Sequence, residues 1–200
     1  MLDPSTVGGD RSLFTTINEW AQDTPWLHGF FKTYAGYGVV LFGVLLVVGY
    51  LLARRRRDLD LLTASLWAAL APLIAVAVNQ PIAAGVDEPR PFAVFPHALL
   101  LGHRSADPSF TSDHATMAGA IAVGLFLVSR RLGAVAATAA VLMAFARVYV
   151  GAHYPVDVLA GLVLGGAVTG LGWLLLRRPL RHLLALAARS PLRVAVPVDL

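Results

Sequence analysis

Long apolar runs broken by short polar turns set the pattern of this chain. Five stretches approach the roughly 20 apolar residues that a helix needs to cross a hydrocarbon core. They are residues 34–53, 61–80, 113–129, 132–150 and 156–176, the third being the shortest. Gly161, Gly165 and Gly166 in the last run predict close packing between membrane helices, because small residues let two backbones approach. Ahead of the first run, residues 12–31 read "SLFTTINEWAQDTPWLHGFF". Leu13, Ile17, Trp20 and Ala21 share one helical face there, while Asn18, Glu19, Gln22 and Asp23 lie elsewhere. This is the pattern of an amphipathic helix at the membrane interface, anchored by Trp20 and Trp26. A helix packed on the outer rim of a bundle would show the same pattern. "PLRHLLALAAR" predicts a second interfacial helix on the cytoplasmic side, and the tail 190–200 is expected to be disordered. The prediction is an all-α, polytopic membrane bundle of about five transmembrane helices. It forms one domain over residues 1–200, with an interfacial helix at 12–31 and a transmembrane core at 34–180.

Composition agrees with that pattern. The chain is 57% hydrophobic and 14% charged with a mean hydropathy of +0.68, too apolar for a soluble domain of its size. Its net charge of +4 would suggest nucleic acid if the basic residues formed a solvated face. Instead, every basic residue but Lys32 is an arginine, and most sit in clusters between apolar runs. Arg54 to Arg57, Arg130 with Arg131, and Arg177, Arg178 and Arg181 fall on one side if the spans alternate, and that side should be cytoplasmic. The N-terminus, residues 81–112 and the turn around His153 then face outward. There is no cysteine, which excludes disulfides, thiolate catalysis and cysteine-based metal sites. The first twelve residues lack the basic and apolar regions of a signal peptide, so the N-terminus is expected to be retained.

The outward side holds most of the unusual polar chemistry. In "HYPVD", His153 and Asp157 are four residues apart at the start of a helix, with Pro155 suited to its first turn. A carboxylate at that spacing can fix the histidine tautomer and leave the other ring nitrogen free to attack, or it can be a simple helix-end contact. Arg147 stands in an apolar run, where a central arginine costs about 2.5 to 3.5 kcal/mol on insertion scales and marks a partner or a substrate path, unless it snorkels from the outer end of its span. Next to a histidine nucleophile, a guanidinium suits a phosphoryl oxygen. "TSDHA" offers Thr111 or Ser112 as a helix cap, backbone N–H groups as an anion site, and His114 as a proton donor. Arg90 sits between Pro89 and Pro91, which stiffen its backbone.

Together, "EPRP", "TSDH" and "RVYVGAHYPVD" resemble the three motifs of the type 2 phosphatidic acid phosphatase superfamily, Lys-x6-Arg-Pro, Pro-Ser-Gly-His and Ser-Arg-x5-His-x3-Asp. The resemblance covers roughly residues 12–180. It is greatest to the bacterial bacitracin-resistance undecaprenyl pyrophosphate phosphatases, which share "EPRPF", "SDH" and "HYPVDVL". It implies a metal-independent enzyme without a cofactor, multi-pass in the bacterial plasma membrane. Its implied substrate is a polyprenyl pyrophosphate lipid, undecaprenyl pyrophosphate, hydrolysed on the outer face. Other lipid phosphates are alternative substrates, and a non-catalytic anionic-lipid carrier is the rival of another class. In the implied roles His153 becomes a phosphohistidine, Asp157 orients it and His114 protonates the leaving group. Arg90, Arg147 and Ser112 hold the transferring oxygens.

Departures from the motifs raise further expectations. Ala83 stands where the first motif has lysine, so Arg104 or His103 is expected to compensate. Thr111 and Asp113 replace Pro and Gly of the second motif and Ala146 replaces Ser of the third. Asp113 is expected at the substrate site as a helix N-terminal charge or a partner for a nearby basic group. His97 and His103 read as solvated loop groups or as contacts to the headgroup, Asp87 and Glu88 as a solvated pair or a cation site, and Tyr149 and Tyr154 fit an aromatic belt at least as well as a site. The histidine spacing suggests no zinc site.

Overall fold

The computed structural model describes residues 4–189, and every regular element among them is helical. In chain order these are α1 Pro4–Asp23, a 3-10 turn Pro25–Leu27, α2 His28–Tyr37, α3 Val39–Arg56, α4 Leu59–Val86, α5 Pro91–Val94, α6 Asp113–Val128, α7 Arg130–Tyr149 and α8 Pro155–Ala188. The tail expected at 190–200 lies outside the described residues. The stretch Leu59–Val94, α7 and α8 are each long and apolar enough to cross a bilayer. The Pro25–Tyr37 and Val39–Arg56 helices, bent by 55° where they meet, make a fourth crossing if taken together. At 16 residues, α6 reaches only about 24 Å, short of a hydrocarbon core of about 30 Å.

Small residues bring α6 into the middle of the bundle, against α4, α7 and α8. Gly161 and Gly165 of α8 lie directly on the α6 backbone: a Cβ at 161 would stand 2.8 Å from the Ser112 carbonyl oxygen, and one at 165 would overlap that of Thr116. Gly166 has only a side-chain neighbour, Val123. Lipid and apolar side chains are equally apolar, so close packing and hydrogen bonds hold such a crossing together. The Thr169 hydroxyl of α8 reaches Ala120 O of α6 at 3.3 Å, and the Trp67 indole of α4 donates to Thr169 O at 2.9 Å. Large apolar side chains point outward instead: Leu73, Val163 and Leu175 are each at least 70% exposed, forming a lipid-facing surface.

The segment before the first crossing departs from the single interfacial helix expected at 12–31. It breaks at Thr24 because Pro25 brings no N–H and disfavours helical geometry in the residue before it. Phe14, Asn18 and Ala21 of α1, spaced i, i+4, i+7, are buried against the bundle, while Leu13, Trp20 and Trp26 stay exposed. Asn18, placed on the polar face by pattern alone, is a clamp: its Oδ1 accepts from Leu99 N–H at 2.8 Å and its Nδ2 donates to Leu99 O at 2.9 Å. That clamp fixes the long segment leading to α6. At the other end of the chain, "PLRHLLALAAR" is no separate helix. It continues α8 through Pro179, where one missing donor does not stop a 34-residue helix. Arg181 pairs with Asp60 at 2.5 Å, bringing the end of α8 beside the α3–α4 turn.

Candidate active site

His153 sits in the turn between α7 and α8 and is almost wholly buried. Gly151 makes that turn possible with φ of +77°; a Cβ there would meet the Leu99 carbonyl. Two guanidiniums from different parts of the chain converge on the ring. Arg90 Nη1 and Arg147 Nη2 each lie 3.2 Å from His153 Nε2. Guanidinium N–H groups only donate, so Nε2 is the unprotonated, accepting nitrogen and the ring proton is on Nδ1. That proton is donated to the Ser109 carbonyl at 2.8 Å.

Asp157 stands behind this pair. Its Oδ2 is 3.6 Å from His153 Nδ1, too long for a hydrogen bond. The same oxygen accepts from the Ser109 hydroxyl at 2.6 Å and from the Tyr154 backbone N–H at 2.8 Å. The second contact is the N3 carboxylate reaching back to the helix N-cap, with Pro155 at N1. Asp157 therefore caps α8 and places a buried negative charge near Nδ1, while a backbone carbonyl, rather than the carboxylate, takes the proton. The expectation that the carboxylate binds the ring directly is revised accordingly. Burial pushes His153 down to about 4; Asp157 opposes that shift, and the Arg147 and Arg90 charges add to it. At neutral pH the imidazole is uncharged, and its Nε2 lone pair accepts from the two guanidiniums.

Both arginines are held by backbone oxygens. Arg90, extended between its prolines at the start of α5, donates from Nε to Asp107 O at 2.9 Å and from Nη1 to Ala152 O at 3.1 Å. Arg147 donates to Ala35 O at 3.4 Å, and its Nε is buried with no hydrogen-bond partner among the described residues. A cavity of about 760 Å³ opens over this cluster, lined also by His114, Thr111, Asp113 and His103. Its size suits a headgroup larger than a single phosphate.

Two predicted ligands lie elsewhere. Ser112 is fully buried beneath the cavity, its hydroxyl without a partner, because its backbone is packed against α8 where Gly161 crosses. It is outside the cavity lining, and neither it nor Thr111 caps α6 through its side chain. Arg104 is turned away with its guanidinium over the Phe92 ring, 5.7 Å from the centroid, so it does not stand in for the absent lysine at Ala83. His97 is exposed outside the lining, whereas His103 is within it. Tyr149 and Tyr154 are buried core residues, not belt residues. Phe31 and Trp20 pack on Tyr149, and Phe14 packs on Tyr154.

Several site residues lie outside the three motifs. Asn79 and Gln80, near the end of an apolar run, explain the charge at Asp113. Asn79 Nδ2 donates to Asp113 Oδ1 at 2.8 Å and Gln80 Nε2 donates to the same carboxylate at 3.1 and 3.2 Å. The partners are amides rather than a basic group, and Asp113 stands in the first turn of α6 as the expected helix N-terminal charge. Adjacent amides in an otherwise apolar helix are the feature that would have marked them. Ser109 acts through its main chain, which a sequence does not display, and Lys32 of α2 lines the cavity from a segment outside the motifs.

Comparison with known proteins gives a consistent picture. Residues 64–181 match the PAP2 superfamily. The chain is 33% identical over 127 residues to the undecaprenyl-diphosphatase BcrC of Bacillus subtilis, an alignment spanning 64% of this chain and 63% of that protein. It is 28% identical over 166 residues to an undecaprenyl-diphosphatase of Sulfolobus acidocaldarius, covering 82% and 77% of the two. The fold is similar to the crystal structure of a PAP2 type phosphatidylglycerolphosphate phosphatase from Bacillus subtilis, with a TM-score of 0.66 and 24% identity over 84% of this chain and 85% of that one.

Proposed function

The chain belongs to the PAP2 superfamily, and from that premise we propose that it is a membrane lipid phosphatase that converts undecaprenyl pyrophosphate to undecaprenyl phosphate. The observation that carries this reading is the convergence of Arg90 and Arg147 on the accepting nitrogen of His153. A terminal phosphoryl group seated there draws the two guanidinium donors from Nε2 onto its own oxygens, which frees the nitrogen lone pair to attack its phosphorus. Bond formation from Nε2 to phosphorus breaks the bridging P–O bond. The bond's electron pair leaves with the lipid phosphate oxygen, which takes a proton from His114. Positive charge growing on the imidazole is stabilised by the Ser109 carbonyl and the buried Asp157 carboxylate. Water then attacks phosphorus, His114 accepts its proton, and inorganic phosphate departs from His153. Alignment and charge stabilisation supply the catalysis that phosphoryl transfer needs.

The diphosphate substrate is favoured by the relatives named as undecaprenyl-diphosphatases and by a cavity roomier than one phosphate requires. A lipid phosphomonoester is the second reading, favoured by the structural likeness to a phosphatidylglycerolphosphate phosphatase. An extracytoplasmic site is favoured by the arginine clusters at the end of α3, the start of α7 and the C-terminal third of α8, away from His153. Phosphate release from undecaprenyl pyrophosphate and from lipid monoesters, measured in detergent with a chelator, tests the assignment. Fast release from the diphosphate, abolished by His153→Ala, is expected. A His153→Ala variant as active as the parent removes the enzyme reading. Since the chain lacks cysteine, labelling of Ala106→Cys in intact cells by an impermeant maleimide tests the side.

A further inference from the structure

The cavity holds one permanent cation that the phosphoryl-transfer step does not use. Lys32, the only lysine in the chain, lines it from α2 together with Ala35 and Gly36. The spacing i, i+3, i+4 puts the three on one face. That face is held rigidly near the site. Phe31 packs on Tyr149 with ring centroids 4.3 Å apart, the Tyr34 hydroxyl donates to Ala139 O at 2.8 Å, and Ala35 O accepts from Arg147. Gly36 leaves open space beside the lysine. Across the cavity α4 contributes Gln80, Ala83 and Ala84, none of them charged.

The other charged groups of the lining are already engaged. Arg90 and Arg147 are tied to backbone carbonyls and to His153 Nε2, which commits both to the transferring group. Asp113 is held by Asn79 and Gln80, and Asp107 accepts from the Ser105 hydroxyl at 2.6 Å. Among the described residues no carboxylate lies within ion-pair distance of Lys32. An ammonium on a flexible four-carbon stem is a mobile point charge suited to a phosphate that need not be held in one geometry. We propose that Lys32 binds the second, lipid-proximal phosphate of a diphosphate headgroup and so makes the site prefer diphosphates to monoesters.

This inference rests on the lipid-phosphatase reading, and its test separates the two. Purified parent, Lys32→Met and Lys32→Arg proteins are assayed on farnesyl diphosphate and farnesyl monophosphate. Pyrophosphate and orthophosphate serve as competitive inhibitors. Loss of one charge-assisted contact should lower kcat/KM for the diphosphate by about 10- to 100-fold in Lys32→Met. The monophosphate should change far less, and Lys32→Arg should recover most of the activity. The inhibition constant of pyrophosphate should rise while that of orthophosphate stays put. Equal losses on both substrates, or none, overturn the role of Lys32. A parent that hydrolyses only monoesters instead sinks the diphosphate assignment, and the pyrophosphate inhibition constants still decide whether Lys32 binds a second phosphate.

Discussion

Replacing Asp157 by Asn removes a charge while keeping size and an acceptor for the Tyr154 N–H, so it isolates the electrostatic part of that residue's work. His153 Nδ1 lies 3.6 Å from Asp157 Oδ2. Unit charges at that separation attract by about 4 to 5 kcal/mol at an effective dielectric constant of about 20. With about half the positive charge developed at the transition state, the loss is about 2 kcal/mol, or about 30-fold in kcat. KM should change little, because the uncharged imidazole of the ground state gains little from the carboxylate. The pH dependence separates this mechanism from a simple ionisation effect. Asp157 favours the protonated ring, so its loss moves His153 further below about 4, and the imidazole stays neutral in both proteins near neutrality. Steady-state phosphate release should therefore show a deficit throughout about pH 6 to 8. A variant with parental kcat, or a deficit that disappears with a change of pH, would refute the reasoning.

Arg90→Ala and Arg147→Ala should each lower kcat by about 100- to 1,000-fold, the cost of one preorganised donor to a transferring group. Arg147→Lys should rescue poorly, since an ammonium lacks the guanidinium fork that reaches both Ala35 O and His153; near-parental turnover would count against a clamp. Gly165→Val should destabilise the α6–α8 crossing by at least about 1 to 3 kcal/mol, because the side chain would enter the Thr116 carbonyl. Thermal unfolding in detergent measures this, and an unchanged midpoint would mean the helices are further apart. His153 also makes stability depend on pH. Its value falls from 6.5 to about 4 on folding, so the unfolded chain binds more protons between those limits. Its contribution is complete above about pH 6.5 and lost as the pH falls toward 4, amounting to about 3 kcal/mol. His153→Gln should flatten that slope, and an equally steep variant would assign it to other groups.

The parts of this fold legible in the sequence are those with a local physical signature. Apolar runs located α3, α4, α6, α7 and α8, and Gly161 and Gly165 marked a crossing because nothing larger fits. Arg147 stood out as a charge in an apolar run, and Arg90 as a cation held between prolines. What remained hidden depends on how helices dock. Asn18 looks solvent-facing in an amphipathic pattern, yet it clamps Leu99, 81 residues away. Asp113 finds Asn79 and Gln80 only through the register of α4 against α6. Ser112 looked like a ligand because it is polar at a helix start, but the close α6–α8 approach takes it out of the cavity. The Nδ1 acceptor is a main-chain carbonyl, which every residue possesses and no pattern distinguishes.

The stereochemical course at phosphorus tests the account most directly. A substrate whose terminal thiophosphoryl group is chiral in oxygen isotopes distinguishes two displacements through His153 from one direct attack by water. Net retention of configuration is predicted, because each of the two steps inverts. Net inversion would mean that water attacks the substrate itself, and His153 could not be the nucleophile.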